Sequence, residues 1–268
     1  KTSKRDELIN LILKEKKLKL IAVAGTHGKT TTTAMIIWLF KQLGEPLSYS
    51  VGAKISFGDM GQYEPKSEYF VYEADEFDRN FLAFKPFISV ITGVSWDHHE
   101  IFPMREDYQE AFKEFINQSK WTIAWQDDVD YLSLSLNNDI SVQDPGQKEI
   151  RRIALDGSYN RLDGWLAIQA VSEVLNRPVK ELVEIINKFP GLQRRMEEIV
   201  PNLYSDYAHT PEKIRGAMSV ALEMAEKKGQ DVVVVYEPLT NRRQHYMADD
   251  YKDCFAGAKK VYWIPSYL

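Results

Sequence analysis

The sequence predicts an α/β fold: a central domain with a parallel sheet, followed by a smaller α/β unit. Apolar, β-branched runs end in glycines or acidic clusters and are followed by segments of helical periodicity. Several of these runs are almost continuously apolar, which is typical of strands buried on both faces of a parallel sheet. The length of 268 residues also exceeds that of one typical core.

Composition narrows the class of protein. Apolar residues make up 44% and charged residues 27%, as in ordinary globular proteins. The formal charge of −5 argues against general binding to nucleic acids or anionic membranes. The single Cys254 excludes an internal disulfide and fits a reducing compartment. No apolar run approaches the roughly 20 residues that span a bilayer. We therefore expect a cytoplasmic protein.

The strongest motif follows the first predicted strand, residues 18–24. The chain turns at glycines and enters a helical pattern at Lys29. Glycines let backbone N–H groups approach phosphate oxygens, and a helix N-terminus adds partial positive charge. Lys29 adds a full charge, and Thr30 can reach Mg²⁺. This order predicts a phosphate-binding loop (P-loop) formed by Gly25, Thr26, His27, Gly28, Lys29, Thr30 and Thr31.

The usual P-loop pattern G-x-x-x-x-G-K-[ST] is not met, because Val23 occupies its first glycine position. The alternative is an ordinary strand–helix turn that contains Gly-Lys-Thr by chance. Strand and helix patterns on both sides of the turn disfavour that alternative.

Two polar clusters follow later strands. Residues 73–79, which contain four acids, come after the strand 69–72, and residues 93–100 come after the strand 87–92. Ligands bind at the carboxyl ends of strands in open α/β sheets. We therefore interpret the clusters as Mg²⁺ and substrate ligands, with His98 as a candidate metal ligand. A solvated acidic loop is the alternative for the acids taken singly.

The remaining elements follow from periodicity. Residues 48–68 read as a weak strand and a loop, and residues 137–150 as a polar loop. Further strands are predicted at 121–125 and 150–155, and helices at 104–118, 127–134, 158–175 and 178–188.

A domain boundary is predicted at Phe189-Pro190-Gly191, giving domains of residues 1–189 and 190–268. The second domain reads as a hairpin, a helix over 211–227, a strand over 231–236, a helix over 250–256 and a strand over 260–264. Because it stops after a strand, we interpret this Rossmann-like domain as incomplete.

Six motifs in order resemble the Mur ligase family: residues 24–32, 73–79, 97–98, 157–160, 191–195 and 206–211. The resemblance implies a central ATPase domain and a C-terminal domain that binds the incoming amino acid. It also implies an N-terminal domain for a UDP sugar, which these residues do not include.

The resemblance implies a ligase that uses ATP and Mg²⁺ to form an acyl phosphate and then an amide. Its nearest branch uses UDP-N-acetylmuramate and L-alanine, and acts as a monomer or weak dimer. By resemblance, Lys29 binds the β- and γ-phosphates. The implied Mg²⁺ ligands are Thr30, Glu73 and His98. The other implied residues are Asn160, Arg195 and Asp206 for ATP, and Arg79 and His209 for the substrate or amino acid.

The chain departs from the family pattern at Tyr159, Asp163, Glu100 and Glu237, and carry-over onto Arg242 or Arg243 is unsafe. Alternatives are a recycling ligase that attaches a tripeptide, and a catalytically silent nucleotide-binding subunit. A kinase is the least favoured alternative. We expect Lys29→Ala to abolish turnover and to leave the thermal transition nearly unchanged.

Overall fold

The computed structural model describes residues 4–98, 100–135, 139–238 and 248–265, and it confirms the α/β fold. The chain divides into two compact units. Unit 1 comprises residues 1–154 and 162–190, and unit 2 comprises residues 155–161 and 191–268. The sequence order did not predict that the segment 155–161 joins the second unit, because its position in the chain lies well before the predicted boundary.

A seven-stranded sheet forms the centre of the described part of unit 1. Its strand order is β3-β2-β4-β1-β5-β6-β7, and every neighbouring pair is parallel except β2 and β3. The central strand β1 therefore has β4 on one side and β5 on the other. The strands are β1 (Lys19–Ala24), β2 (Ser48–Ser50), β3 (Gly61–Gln62), β4 (Tyr69–Glu73), β5 (Ile88–Ile91), β6 (Trp121–Trp125) and β7 (Ile140–Gln143).

Helices cover both faces of this sheet. Alternate β1 residues, including Leu20 and Ala22, pack in one cluster with Phe112 and Phe115 of α3. Ile21 and Val23 point to the opposite face and are also fully buried. No helix within the described ranges combines the length and apolarity needed to cross a bilayer. The helices are α1 (Arg5–Lys16), α2 (Lys29–Leu43), α3 (Arg105–Asn117), α4 (Gln126–Tyr131), α5 (Ser158–Leu175) and α6 (Val179–Ile186).

The outer strand of the sheet differs from the prediction. The strand predicted at 150–155 is wrong, because Lys148–Arg152 form a 3₁₀ helix. The outer strand is instead β7, within the segment predicted to be a polar loop. An edge strand pairs on one side only and tolerates polar residues, so its sequence lacks the apolar run of a central strand. Its buried Gln143 accepts a hydrogen bond from the indole of Trp165 at 2.9 Å.

Unit 2 has the predicted strand–helix–strand order. Strands β8 (Glu197–Val200) and β9 (Leu203–Ser205) form an antiparallel hairpin. Helix α7 (Pro211–Lys228) connects it to β10 (Val233–Tyr236), which pairs in parallel with β11 (Lys260–Trp263). The helix predicted over 250–256 is wrong, because a 3₁₀ turn at Ala248–Tyr251 is followed by turns.

Candidate functional site

The P-loop lies at the carboxyl end of β1, where α2 begins. Gly25 has a φ of 144°, and a Cβ there would stand 2.4 Å from Oγ1 of Thr92. Gly28 has a φ of 76°, which also favours glycine. The N-cap of α2 is Gly28, which has no side chain to accept a hydrogen bond from the first N–H groups of the helix. Its first N–H groups therefore need another acceptor, and an anion fits that requirement.

Thr26 ties the P-loop to two other elements. Its hydroxyl donates to the carbonyl of Ser95 at 2.7 Å and accepts the Ser95 N–H at 2.9 Å. The same oxygen lies 2.8 Å from the hydroxyl of Tyr108 on α3. His27 lies beside this contact, with Nε2 3.4 Å from Oγ of Ser95. The loop is thus held by the segment after β5 and by α3.

Thr30 and Glu73 face each other across the ends of β1 and β4. Oγ1 of Thr30 donates to Oε1 of Glu73 at 2.8 Å, and the N–H of Gly52 donates to Oε2 at 2.8 Å. A hydroxyl and a carboxylate held together offer oxygen ligands that suit Mg²⁺. Within the described ranges, no group of three or more His, Cys, Asp or Glu side chains is placed to hold a metal. A Mg²⁺ ion here would therefore rely largely on water and phosphate oxygens, as Mg²⁺ commonly does.

Lys29 is paired with a carboxylate that sequence reasoning did not single out. Its ammonium donates to the carbonyl of Gly25 at 2.6 Å and to Oε2 of Glu76 at 2.7 Å. The Lys29 side chain is 14% exposed and that of Glu76 is 0% exposed. Burial alone would raise the pKa of Glu76, but Lys29 and a hydrogen bond from His98 lower it to about 2. Burial likewise opposes the charge of Lys29, yet Glu76 raises the lysine pKa above its usual value.

His98 lies beside Glu76. Its Nε2 is 3.5 Å from Oε1 of Glu76, and its backbone N–H donates to Asp97 at 2.7 Å. Burial would lower the pKa of His98, but the contact with Glu76 and the nearby Asp97 raise it. The structure links Thr30 to Glu73 and His98 to Glu76. The Mg²⁺ site shared by Thr30, Glu73 and His98 stays a prediction.

Arg79 lies in an unusual stretch of backbone in the same acidic segment. Asp78 and Arg79 have φ values of 54° and 58°, in the left-handed region that non-glycine residues rarely adopt. The Arg79 guanidinium stacks 5.2 Å from the ring centre of Phe102. Two such residues in succession store strain of the kind that collects at functional sites.

Asp163, one of the residues at which the chain departs from the family pattern, also lies beside the P-loop. A Cβ built on Gly28 would stand 2.4 Å from Oδ1 of this buried carboxylate. The site in unit 1 therefore contains an acid where the family pattern has an amide. Tyr159, the other departure in this motif, is 57% exposed.

Unit 2 holds the other predicted residues. Asn160 donates to the carbonyl of Asp156 at 2.8 Å. Both oxygens of Asp206 accept backbone N–H groups, from Met196 at 2.9 Å and from Ala208 at 2.7 Å. Burial raises the pKa of Asp206, against these hydrogen bonds and the charge of Arg195.

His209 lies beside Tyr207 in unit 2, with a ring-centre distance of 4.9 Å and its Nδ1 2.8 Å from the Tyr207 carbonyl. Arg242 and Arg243, onto which no role was carried over, lie outside the described residues.

Comparison with known proteins finds similarity to Mur ligases. Residues 23–151 match the model of the Mur ligase middle domain. A UDP-N-acetylmuramate–L-alanine ligase of Lactobacillus gasseri is 28% identical over 278 residues, covering 92% of this chain and 61% of the relative. The enzyme of the same name from Rickettsia massiliae is 27% identical over 290 residues, with 92% and 60% covered. The chain thus spans about three fifths of the length of these relatives.

Solved structures show the same fold. A UDP-N-acetylmuramate–alanine ligase from Thermotoga maritima has a TM-score of 0.73 at 24% identity, over 98% of this chain and 70% of its own. A MurF ligase from Thermotoga maritima in complex with ADP gives 0.69 at 14% identity, over 98% and 71%. A murein peptide ligase from Psychrobacter arcticus gives 0.61 at 18% identity, over 98% and 70%.

Proposed function

We propose that this chain is a member of the Mur ligase family and acts as an ATP-dependent ligase that joins UDP-N-acetylmuramate to L-alanine. The observation that carries the proposal is the arrangement at the carboxyl end of β1. There, an uncapped helix start, the ammonium of Lys29 and the Thr30–Glu73 pair lie within one P-loop site. The names of the curated relatives support the choice of substrates. We further propose a cytoplasmic monomer or weak dimer.

The proposed reaction has two steps. A carboxylate oxygen of the sugar attacks the γ-phosphorus of ATP, and the bond from that phosphorus to the β–γ bridging oxygen breaks. ADP departs, and the sugar carboxylate has become an acyl phosphate. The amino nitrogen of alanine then attacks the acyl carbon, phosphate leaves, and the nitrogen loses a proton. Positioning and charge neutralisation dominate such steps.

The residues of unit 1 supply that neutralisation. Lys29 balances the charge that grows on the bridging oxygen, and backbone N–H groups of residues 27–31 hold the phosphates. The N–H of Thr26 instead donates to the carbonyl of Gly93 at 2.8 Å. Thr30, Glu73 and His98 would hold Mg²⁺, whose charge neutralises phosphate oxygens. In this proposal Asn160, Arg195 and Asp206 serve the nucleotide. Arg79 and His209 serve the acceptor substrates.

The test measures nucleotide binding and acceptor choice separately. Titration calorimetry with ATP should show Mg²⁺-dependent binding that Glu73→Gln weakens at least tenfold, because the variant removes a charged metal ligand. Lys14→Ala, at an exposed lysine of α1, is the matched control and should bind like the wild type. Equal ATP binding with and without Mg²⁺ by wild type and Glu73→Gln would contradict the proposed site.

Phosphate release then identifies the acceptor. We expect release that requires both UDP-N-acetylmuramate and L-alanine. Release with a tripeptide in place of alanine would favour the recycling ligase. Nucleotide binding without release for any acceptor would favour the silent subunit.

A further inference from the structure

Glu76 makes three polar contacts that converge on the P-loop site, although it is fully buried. We propose that Glu76 is a positioning residue that clamps the ammonium of Lys29 and the ring of His98 for phosphoryl transfer. This inference rests on the proposed function and adds to it a residue to which that function gives no role.

The contacts of Lys29 account for its orientation. An ammonium has three N–H donors. Two have acceptors at 2.6 and 2.7 Å, the carbonyl of Gly25 and Oε2 of Glu76. The ammonium makes no other hydrogen bond within the described part of the chain, so one donor remains for a phosphate oxygen. A lysine held this way has lost its rotamer freedom before the nucleotide arrives, which lowers the entropy cost of the reactive arrangement.

The second oxygen of Glu76 extends the clamp to other loops. Oε1 lies 3.5 Å from Nε2 of His98 and 3.4 Å from the hydroxyl of Tyr108. The Tyr108 hydroxyl also lies 2.8 Å from Oγ1 of Thr26 in the P-loop. One buried carboxylate therefore joins the segments that follow β1, β4 and β5. A shift of Glu76 would move the lysine and the histidine together.

The net charge of the Lys29–Glu76 pair predicts that loss of Glu76 affects nucleotide binding and turnover to different extents. The ammonium of Lys29 and the carboxylate of Glu76 lie 2.7 Å apart, so together they form an ion pair that is neutral as a whole. A neutral pair attracts phosphate less than a lone ammonium would. Glu76 therefore contributes placement rather than nucleotide affinity, and its loss should affect kcat more than the affinity for nucleotide.

The experiment compares Glu76→Gln with Glu110→Gln. The second variant removes an exposed carboxylate on α3, outside the P-loop and outside both polar clusters. Lysine ammonium groups are observed by ¹⁵N NMR, and Lys29→Met assigns the Lys29 signal. We expect a slowly exchanging Lys29 signal in the wild type and in Glu110→Gln, and its loss in Glu76→Gln. ATP affinity should stay within about threefold in Glu76→Gln, while phosphate release with both acceptors falls at least tenfold.

Glu76→Asp provides a second variant if Glu76→Gln does not fold. It keeps the charge balance but withdraws the carboxylate by one methylene, and should show the same loss of signal and turnover. An unchanged Lys29 signal and turnover in either folded variant would overturn the clamp. If the wild type binds no ATP while the Lys29 signal still depends on Glu76, the proposed function fails and the clamp stands as a structural feature.

Discussion

Replacing Lys29 with methionine should destabilise unit 1, because it leaves the charge of Glu76 buried without the ammonium that pairs with it. The sequence had predicted a nearly unchanged thermal transition for Lys29→Ala, and the structure changes that expectation. Removing one member of a buried pair costs about 3–5 kcal/mol of unfolding free energy. The pKa of Glu76 gives a similar magnitude. The difference between 4.5 and about 2, at 1.36 kcal/mol per pH unit, corresponds to roughly 3 kcal/mol.

The stability cost of replacing Lys29 should depend on pH in a definite direction. In the wild type the pKa of Glu76 is lowered, so its stabilisation is present above pH 4.5 and is lost as the pH falls towards 2. In Lys29→Met, burial without a cation raises the pKa of Glu76. The cost of the substitution should therefore be largest at pH 7.5 and should shrink towards pH 4.5, where Glu76 takes up a proton.

Urea unfolding followed by tryptophan fluorescence measures this cost, since five of the six tryptophans lie in unit 1. The double variant Lys29→Met with Glu76→Gln is the control. It removes both charges and should regain stability to within about 1 kcal/mol of the wild type. A Lys29→Met protein as stable as the wild type at pH 7.5, with no change in the difference at pH 4.5, would refute the reasoning.

Three further predictions concern the same unit. Thr26→Val should lower the unfolding free energy by about 1–3 kcal/mol in urea, because it strands buried hydrogen-bond partners. Thr33→Val changes a buried hydroxyl that has no hydrogen-bond partner among the described residues, and it should be neutral or stabilising; equal losses for both variants would contradict this. Burial raises the pKa of Asp128 to about 6. As the pH rises from 4 to 7, the unfolding free energy of the wild type should therefore fall by roughly 3 kcal/mol relative to that of Asp128→Asn. Parallel pH profiles of unfolding free energy for the two proteins would contradict this prediction. Gly25→Ala should reduce ATP affinity at least tenfold in calorimetry, because the new Cβ would stand 2.4 Å from Oγ1 of Thr92 and force the P-loop to shift. An unchanged ATP affinity in this variant would contradict the close packing of the P-loop against Thr92.

The sequence predicted those features that depend on local pattern. Period and turn residues located β1, β4 and β5, and the rule for strand ends brought the acidic cluster 73–79 to the sheet edge that carries the P-loop. The specific grouping of Glu73 with Thr30 came from the family resemblance. The role of Glu76 was not predictable in this way. It depends on tertiary contacts with Lys29, His98 and Tyr108, which no helix or strand pattern reveals.

Two other differences between prediction and structure also depend on tertiary structure and not on local sequence pattern. The edge strand β7 has neither an apolar run nor clear alternation, because only one side of it is paired. The segment 155–161 packs with residues far along the chain: Arg161 bonds to Glu223 at 3.0 Å. Periodicity carries no information on such distant partners.

The position of β1 in the sheet has a consequence for the order of folding. Although β1 is synthesised before β4 and β5, it pairs with both of these later strands, Lys19 with Tyr69 and Ile21 with Ile88. Joining such distant segments costs loop-closure entropy before any contact compensates for it. We therefore expect the glycine-rich loop to acquire its shape only after β5 has left the ribosome. Pulse-labelled hydrogen exchange during refolding should show β1 amides protected no earlier than those of β5; earlier protection of β1 would exclude this order.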